Sequence, residues 1–333
     1  MVMKKFINDP GNLVNELLEG YVLAYPDIVK LAGDNLIVRT LPKEKGRVGI
    51  ITLGGSGHEP GLSGYVGKGM LDISVPGEIF AAPGPRRCLE AMKLADQGAG
   101  VLFVVLNHAG DLMTANITME LAKKEGIKAR MVLVHEDIAS GLPAKPEERR
   151  GLIGFLPIVK IAGAAAEQGR TLEHIFTIAS ELGKNMRAIA VALRPGTHPC
   201  TGGTMFTLGE DEMGVGVGQH GEAGIERIKL LSADDTADLM LSRLLKDLGA
   251  KPGDELLVIL NSSGSTTMME LFIIFRRISR ILKEKNIKIA ESLAGEFITT
   301  QEQAGFQMFI AKMDKDLLKL WNAPCNTPFL TMQ

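Results

Sequence analysis

The sequence predicts an α/β protein, with a mostly parallel N-terminal α/β domain and a smaller C-terminal α+β domain. Three observations carry that expectation. First, apolar β-branched runs such as Val48–Leu53 and Val101–Leu106 end abruptly in glycine-containing loops, and the second leads through a helical stretch to another apolar run. Strand, loop, helix and strand in that order make a βαβ crossover, which implies parallel pairing. Second, glycine is abundant at 38 residues while aromatic residues make up only 5%, a balance suited to many tight strand-to-helix turns. Third, the stretch Pro195–Gly221 turns glycine-rich and loses apolar periodicity. A chain of 333 residues, at about 150 residues per domain, divides into two. The border is expected near residue 184, giving domains 1–184 and 185–333.

The elements follow in order. Asn8, Asp9 and Pro10 offer cap chemistry for a helix in which Leu13, Val14, Leu17 and Leu18 recur at helical spacing. Val48–Leu53 reads as a strand running into Gly54–Pro60. Val101–Leu106 is a buried strand, Asn107–Asp111 a loop, Leu112–Glu125 a helix closed by Gly126, and Lys128–Val134 the next strand. His135–Arg150 is polar. Leu152–Glu167 is an Ala/Ile-rich helix apolar on most sides, so it is expected to be buried. Thr171 caps a helix to Leu182, and Ala188–Leu193 is a strand. Beyond the glycine-rich stretch, Asp234–Leu248 is helical, Glu255–Leu260 a strand and Thr267–Lys285 a strongly amphipathic helix. Ile287–Ala290 and Gln307–Met313 read as strands, and Leu317–Trp321 as a short last helix.

Composition excludes several classes. Lys and Arg number 37 against 39 Asp and Glu, so no basic surplus suits nucleic acid. Cys88, Cys200 and Cys325 are scattered, without a C-x-x-C pair, and read as reduced thiols rather than a disulfide or zinc framework. The N-terminal residues lack the apolar run of a signal peptide. Apolar runs such as the six residues Val101–Leu106 fall far short of a membrane span. The expected location is therefore cytoplasmic.

Three constellations carry chemistry. Gly54-Gly55-Ser56-Gly57-His58-Glu59-Pro60 is a strand-end loop whose glycines let backbone approach a ligand. His58 serves there as an acid or base, or only caps a turn. No Gly-Lys-Ser/Thr follows, so it is not a P-loop. Asn107-His108-Ala109-Gly110-Asp111 places a carboxylate where it caps the next helix, faces a pocket, or does both. Ligands in parallel sheets sit at such loops, outside the carboxyl ends of strands, so the two loops are expected to converge. Gly214-Val215-Gly216-Val217-Gly218-Gln219-His220-Gly221-Glu222 contains G-x-G-x-x-G. It follows the charged run Gly209–Met213 rather than an apolar strand, which argues against a dinucleotide site. What remains is a constrained imidazole beside a carboxylate, and a neutral imidazole is a nucleophile toward carbonyl carbon. A metal held by His58, Asp111 and His220 is the weaker reading, because no paired ligand spacing such as H-x-H or H-E-x-x-H occurs. No metal is expected.

These motifs, with Pro76-Gly77-Glu78-Ile79-Phe80 and Arg149-Arg150-Gly151, resemble in order the substrate-binding subunit of dihydroxyacetone kinases. The resemblance runs through nearly the whole chain. It implies a two-domain fold and a homodimer. It implies that His220 adds covalently to a ketone as a hemiaminal, which excludes polyols because they lack a carbonyl. His58 and Asp111 match the pair that orients the terminal hydroxyl and takes its proton, and Gly55, Ser56 and Gly57 match the loop lining the ketose. No cofactor is implied on this chain. ATP or ADP with Mg²⁺ would sit on a small helical partner subunit, which in some systems is recharged by a phosphotransferase-system phosphocarrier. Some relatives instead sense a ketose as transcriptional coactivators. The sequence departs from the family at Leu106, where a Lys is usual, and at His108, where an aromatic is usual. The substrate implied is dihydroxyacetone or, given Leu106, a four-carbon ketose such as erythrulose.

Overall fold

The computed structural model describes residues 4–140, 145–222 and 224–333. Met1–Met3 and the middle of the polar segment 135–150 lie outside the described residues. The first half runs α1 (Leu13–Ala24), β1 (Val29–Ala32), β2 (Leu36–Arg39), β3 (Gly49–Ser56), β4 (Ile73–Ile79), α2 (Pro85–Ala95), β5 (Val101–Leu106), α3 (Ala109–Lys124) and β6 (Ala129–Val134). Two helices follow, α4 (Phe155–Glu167) and α5 (Leu172–Lys184). The second half runs β7 (Met186–Arg194), β8 (Glu212–Val215), β9 (Glu226–Lys229), α6 (Ala233–Leu248), β10 (Glu255–Ser262), α7 (Met268–Glu284), β11 (Lys288–Gly295), β12 (Ala304–Lys312) and α8 (Lys315–Trp321).

Two six-stranded sheets form. The first has the order β1-β2-β4-β3-β5-β6, with β4, β3, β5 and β6 mutually parallel and β1 and β2 antiparallel at one edge. The second, β11-β10-β12-β7-β8-β9, is mixed: β10 and β11 are parallel, and the other pairs antiparallel. The α/β and α+β expectation matches this.

Side-chain alternation explains the layering. In β5, Val101, Phe103 and Val105 join one apolar cluster with α2 and α3, while Leu102, Val104 and Leu106 join another around α4. In β10, Leu257 and Ile259 face that same α4 cluster, and Leu256, Val258 and Leu260 face α6 and α7. Period-two alternation thus buries both faces of each sheet. Helix α4 lies between the sheets, and every residue from Phe155 to Ala166 is buried. Its Lys160 is tolerated because the ammonium donates to the Leu320 and Ala323 carbonyls at 3.0 and 2.7 Å. Leu182 and Met186, on either side of residue 184, share this central cluster.

Some elements differ from the sequence expectation. Helix α3 starts at Ala109 rather than Leu112, with His108 as its N-cap residue and Asp111 in the first turn. Asp111 is therefore not the cap; a carboxylate in the first turn favours the helix dipole instead. The short strands β1, β2 and β9 and the Pro- and Gly-containing β4 lack a run long enough to announce them. The G-x-G-x-x-G stretch leaves β8 into its antiparallel partner β9, not into a helix, so the dinucleotide geometry is absent there. Among the described residues, no helix is long and apolar enough to cross a membrane.

Candidate active site

Because β3, β4 and β5 are parallel, their carboxyl ends share one edge, and the loops beyond them meet. β3 delivers Gly55 and His58, β4 delivers Phe80, and β5 delivers His108 and Asp111. The β8–β9 connection brings Gln219, His220 and Glu222 from the other half. Together these residues line a cavity of about 200 Å³, with Leu62, Leu106 and Ile298 as its apolar part. At about 30 Å³ per water molecule, that is the scale of a three- or four-carbon sugar. Of the residues singled out in the sequence, Gly55, His58, Asp111 and His220 meet here. Ser56 and Gly57 do not line this cavity: the Ser56 hydroxyl donates to the Gly77 carbonyl at 2.8 Å, and Gly57 takes a positive φ of 101° with its Cα face against the Phe80 ring.

His58 is buried. Its Nδ1 lies 2.7 Å from the Thr299 carbonyl, so Nδ1 carries the hydrogen and Nε2 is left as an acceptor. Nε2 faces His220 Nε2 at 3.0 Å. Burial, reinforced by His220, pushes the His58 pKa down to about 3. The Phe80 ring closes over both imidazoles, with ring centroids 4.9 Å from His58 and 5.7 Å from His220.

His220 is gripped by Glu222. One carboxylate oxygen accepts from the His220 backbone N–H at 2.8 Å, and the other lies 3.3 Å from His220 Nδ1. This grip depends on Gly218: a Cβ there would sit 2.2 Å from a Glu222 oxygen and 2.4 Å from an Arg150 nitrogen. Arg150 anchors the loop beneath, donating to the Gly216 carbonyl at 2.9 Å and pairing with buried Asp137 at 2.8 Å. Thr300 donates to the Gln219 carbonyl at 2.9 Å.

Two further residues belong to the site. His108 Nε2 lies 3.0 Å from the Gly151 carbonyl, which turns its Nδ1 toward Glu222 at 3.7 Å. Burial lowers the His108 pKa, but Glu222 more than offsets it and the net shift is upward. Glu222 moves the other way: burial would raise it, yet His108 and His220 hold it far below the usual carboxylate range. Asp111 is raised to about 6 by burial, against the pull of His108 and His220. The functional places of His108 and Glu222 were not singled out from sequence. Glu222 stands two residues after His220, and His108 three before Asp111, but only the fold brings them together. The ligand atoms of His108, His220 and Glu222 all lie within 4.8 Å of one another. Among the described residues this trio, not His58, Asp111 and His220, has metal-ligand spacing.

Parallel strand ends, a glycine-held imidazole and an acidic partner define an α/β site of small-molecule size centred on an imidazole. Residues 19–329 match the Dak1 domain model, and the chain belongs to that family. It is 37% identical over 329 residues to a "PTS-dependent dihydroxyacetone kinase 2, dihydroxyacetone-binding subunit DhaK" of Listeria innocua serovar 6a, covering 98% of this chain and 99% of that protein. It is 33% identical to an "L-erythrulose kinase" of Pectobacterium atrosepticum, covering 98% of this chain and 56% of that protein. A solved "Dihydroxyacetone kinase operon co-activator Dha-DhaQ" superimposes with a TM-score of 0.90 at 30% identity, over 95% of this chain and 98% of that one.

Proposed function

We propose that this chain is the ketose-holding subunit of a dihydroxyacetone-type kinase. The observation that carries the reading is the Glu222–His220 pair at the mouth of a sugar-sized cavity. A carboxylate at Nδ1 favours the tautomer with hydrogen on Nδ1, which leaves Nε2 as a nucleophile. The Nε2 lone pair forms the bond to the ketone carbon, and the carbonyl π pair moves to oxygen. That oxygen takes a proton from water entering the open side of the cavity. The alkylated, cationic ring stays paired with Glu222. A polyol has no carbonyl and is not held.

Asp111 then faces the terminal hydroxyl as its proton acceptor. The phosphoryl donor is ATP or ADP with Mg²⁺ on a separate helical subunit, since phosphoryl transfer needs chiefly positioning and charge neutralisation. The carrier of the ketose is a homodimer in this reading, and residues 1–184 and 185–333 each supply part of the site.

Intact-mass measurement after incubation with dihydroxyacetone tests the covalent step. The wild-type chain gains the mass of one ketose, and His220→Ala gains nothing. An adduct on the variant removes His220 from its role.

A second reading concerns the substrate. Leu106 is buried in the cavity wall, so no cation stands at the point where the family usually has Lys. An apolar wall suits the longer carbon chain of erythrulose. Turnover with a donor subunit, compared between dihydroxyacetone and erythrulose, decides it. Far greater efficiency on dihydroxyacetone sinks the four-carbon reading, and absence of turnover with any donor subunit favours a sensor of the coactivator type.

A further inference from the structure

We infer that His108, His220 and Glu222 form a binding site for a divalent transition-metal ion of the zinc class, open on one side to the cavity. Glu222 Oε1 lies 3.3 Å from His220 Nδ1 and 3.7 Å from His108 Nδ1. Ligands bonded to tetrahedral zinc at about 2.0–2.1 Å stand roughly 3.3 Å from each other. All three ligand atoms lie within 4.8 Å of one another, so an ion is reached by drawing the side chains together by up to about 1.5 Å.

Both rings can turn a lone pair to an ion. The Thr299 carbonyl fixes the hydrogen of His58 on Nδ1, so His58 Nε2 is an acceptor. His220 Nε2, 3.0 Å away, can donate to it once an ion displaces the Nδ1 hydrogen that Glu222 otherwise accepts. The Gly151 carbonyl fixes a hydrogen of His108 on Nε2, so a neutral His108 offers its Nδ1 lone pair. When the hydrogens that Glu222 accepts from the two rings are released, two imidazole lone pairs and a carboxylate oxygen converge on one point. A divalent cation can take the place of those hydrogens. Two imidazoles and one carboxylate are a donor set matched to zinc, cobalt or nickel. Three protein ligands leave a fourth position for water or substrate, as in open zinc sites. The Gly151 carbonyl behind His108 is the kind of outer partner that orients a ligating imidazole. His220 and Glu222 keep 29% and 37% of their side chains exposed, so an ion has a way in.

The site has a consequence that rests on the ketose reading above. An ion on Nδ1 holds His220 as the tautomer with hydrogen on Nε2, which is not the nucleophile. Metal and ketose then oppose each other on one ring.

Titration of the metal-stripped full chain with Co²⁺, followed by visible absorption, and with Zn²⁺, followed by calorimetry, tests this. We expect one ion per chain, a tetrahedral cobalt spectrum, and affinity lowered by about tenfold or more in His108→Gln and in Glu222→Gln, with circular dichroism showing both variants folded. No uptake, or unchanged affinity in both variants, overturns the site. Saturating Zn²⁺ is expected to suppress the ketose adduct on the wild-type chain, and a chelator to restore it. An adduct indifferent to bound Zn²⁺ removes His220 from the ligand set. Failure of the adduct in metal-free protein, beside an intact cobalt spectrum, counts against the ketose reading and leaves the metal site standing.

Discussion

His58 and His220 face each other through their Nε2 atoms at 3.0 Å, one ring from each half of the chain. The contact divides the work of the site. With a pKa near 3, His58 is neutral at physiological pH and a weak base. Its Nε2 accepts a hydrogen bond but holds a proton poorly.

In the proposed reaction the proton acceptor is accordingly Asp111, whose pKa of about 6 brings it closer to the ideal for a base at neutral pH. The base must be ionised to act. Turnover with the donor subunit is therefore expected to rise with pH through about 6 and level off above. Asp111→Asn keeps the ketose adduct and loses about 10²–10⁴-fold in turnover. A variant that loses the adduct as well reduces Asp111 to a residue that shapes the cavity.

Gly218 gives a test that separates site from fold. A Cβ there meets the far ends of two flexible side chains, Glu222 and Arg150, rather than backbone. Gly218→Ala is thus expected to swing the Glu222 carboxylate off His220 while losing less stability than Arg150→Ala, which removes the guanidinium outright. Ketose adduct formation slows markedly. Normal adduct kinetics on this variant count against Glu222 as the group that sets the His220 tautomer.

Arg150 couples the site to stability. It pairs with Asp137, whose side chain is 1% exposed, and holds the Gly216 carbonyl of the His220 loop. Removing one partner of a buried pair costs about 3–5 kcal/mol, because the other charge stays buried alone. Arg150→Ala is expected to lose stability on that scale in denaturant titrations. A loss under about 1 kcal/mol, as for a surface pair, means that Asp137 is not buried as described.

Much of this fold was legible in the sequence because strongly periodic segments announce themselves. β3, β5, β6, α4, α6 and α7 follow from apolar runs and their spacing. β1, β2 and β9 are four-residue strands, too short for a period to show, and β4 carries Pro76 and Gly77, which read as punctuation. His58, Asp111 and His220 stood out through their loops. Glu222 was legible as the carboxylate beside His220 and His108 as a departure from the family, but their meeting was not, because they lie more than 100 residues apart and His108 is turned by a carbonyl, Gly151, that only tertiary folding supplies.

Glu136 provides a stability test remote from the chemistry. Its Oε1 accepts from the backbone N–H groups of Leu152 and Gly154 at 3.0 and 2.6 Å, at the entry to α4. Its Oε2 is buried with no hydrogen-bond partner. Burial raises its pKa from 4.5 to about 7, against the pull of the Gly154 N–H. The folded state therefore binds a proton that the unfolded state releases between pH 4.5 and 7. Below pH 4.5 both states are protonated, and Glu136 contributes no penalty. As pH rises through 7 the folded chain must ionise a buried group, and stability falls. Glu136→Gln keeps an oxygen for the two N–H groups and removes the ionisation. It is expected to match wild type near pH 4 and to exceed it above pH 7 by up to about 3 kcal/mol, a shift of that size converted at 1.36 kcal/mol per pKa unit. Denaturant titrations at the two pH values check this. An advantage that is equal at both, or a variant less stable at high pH, means that the ionised carboxylate is stabilised by something other than the two N–H groups.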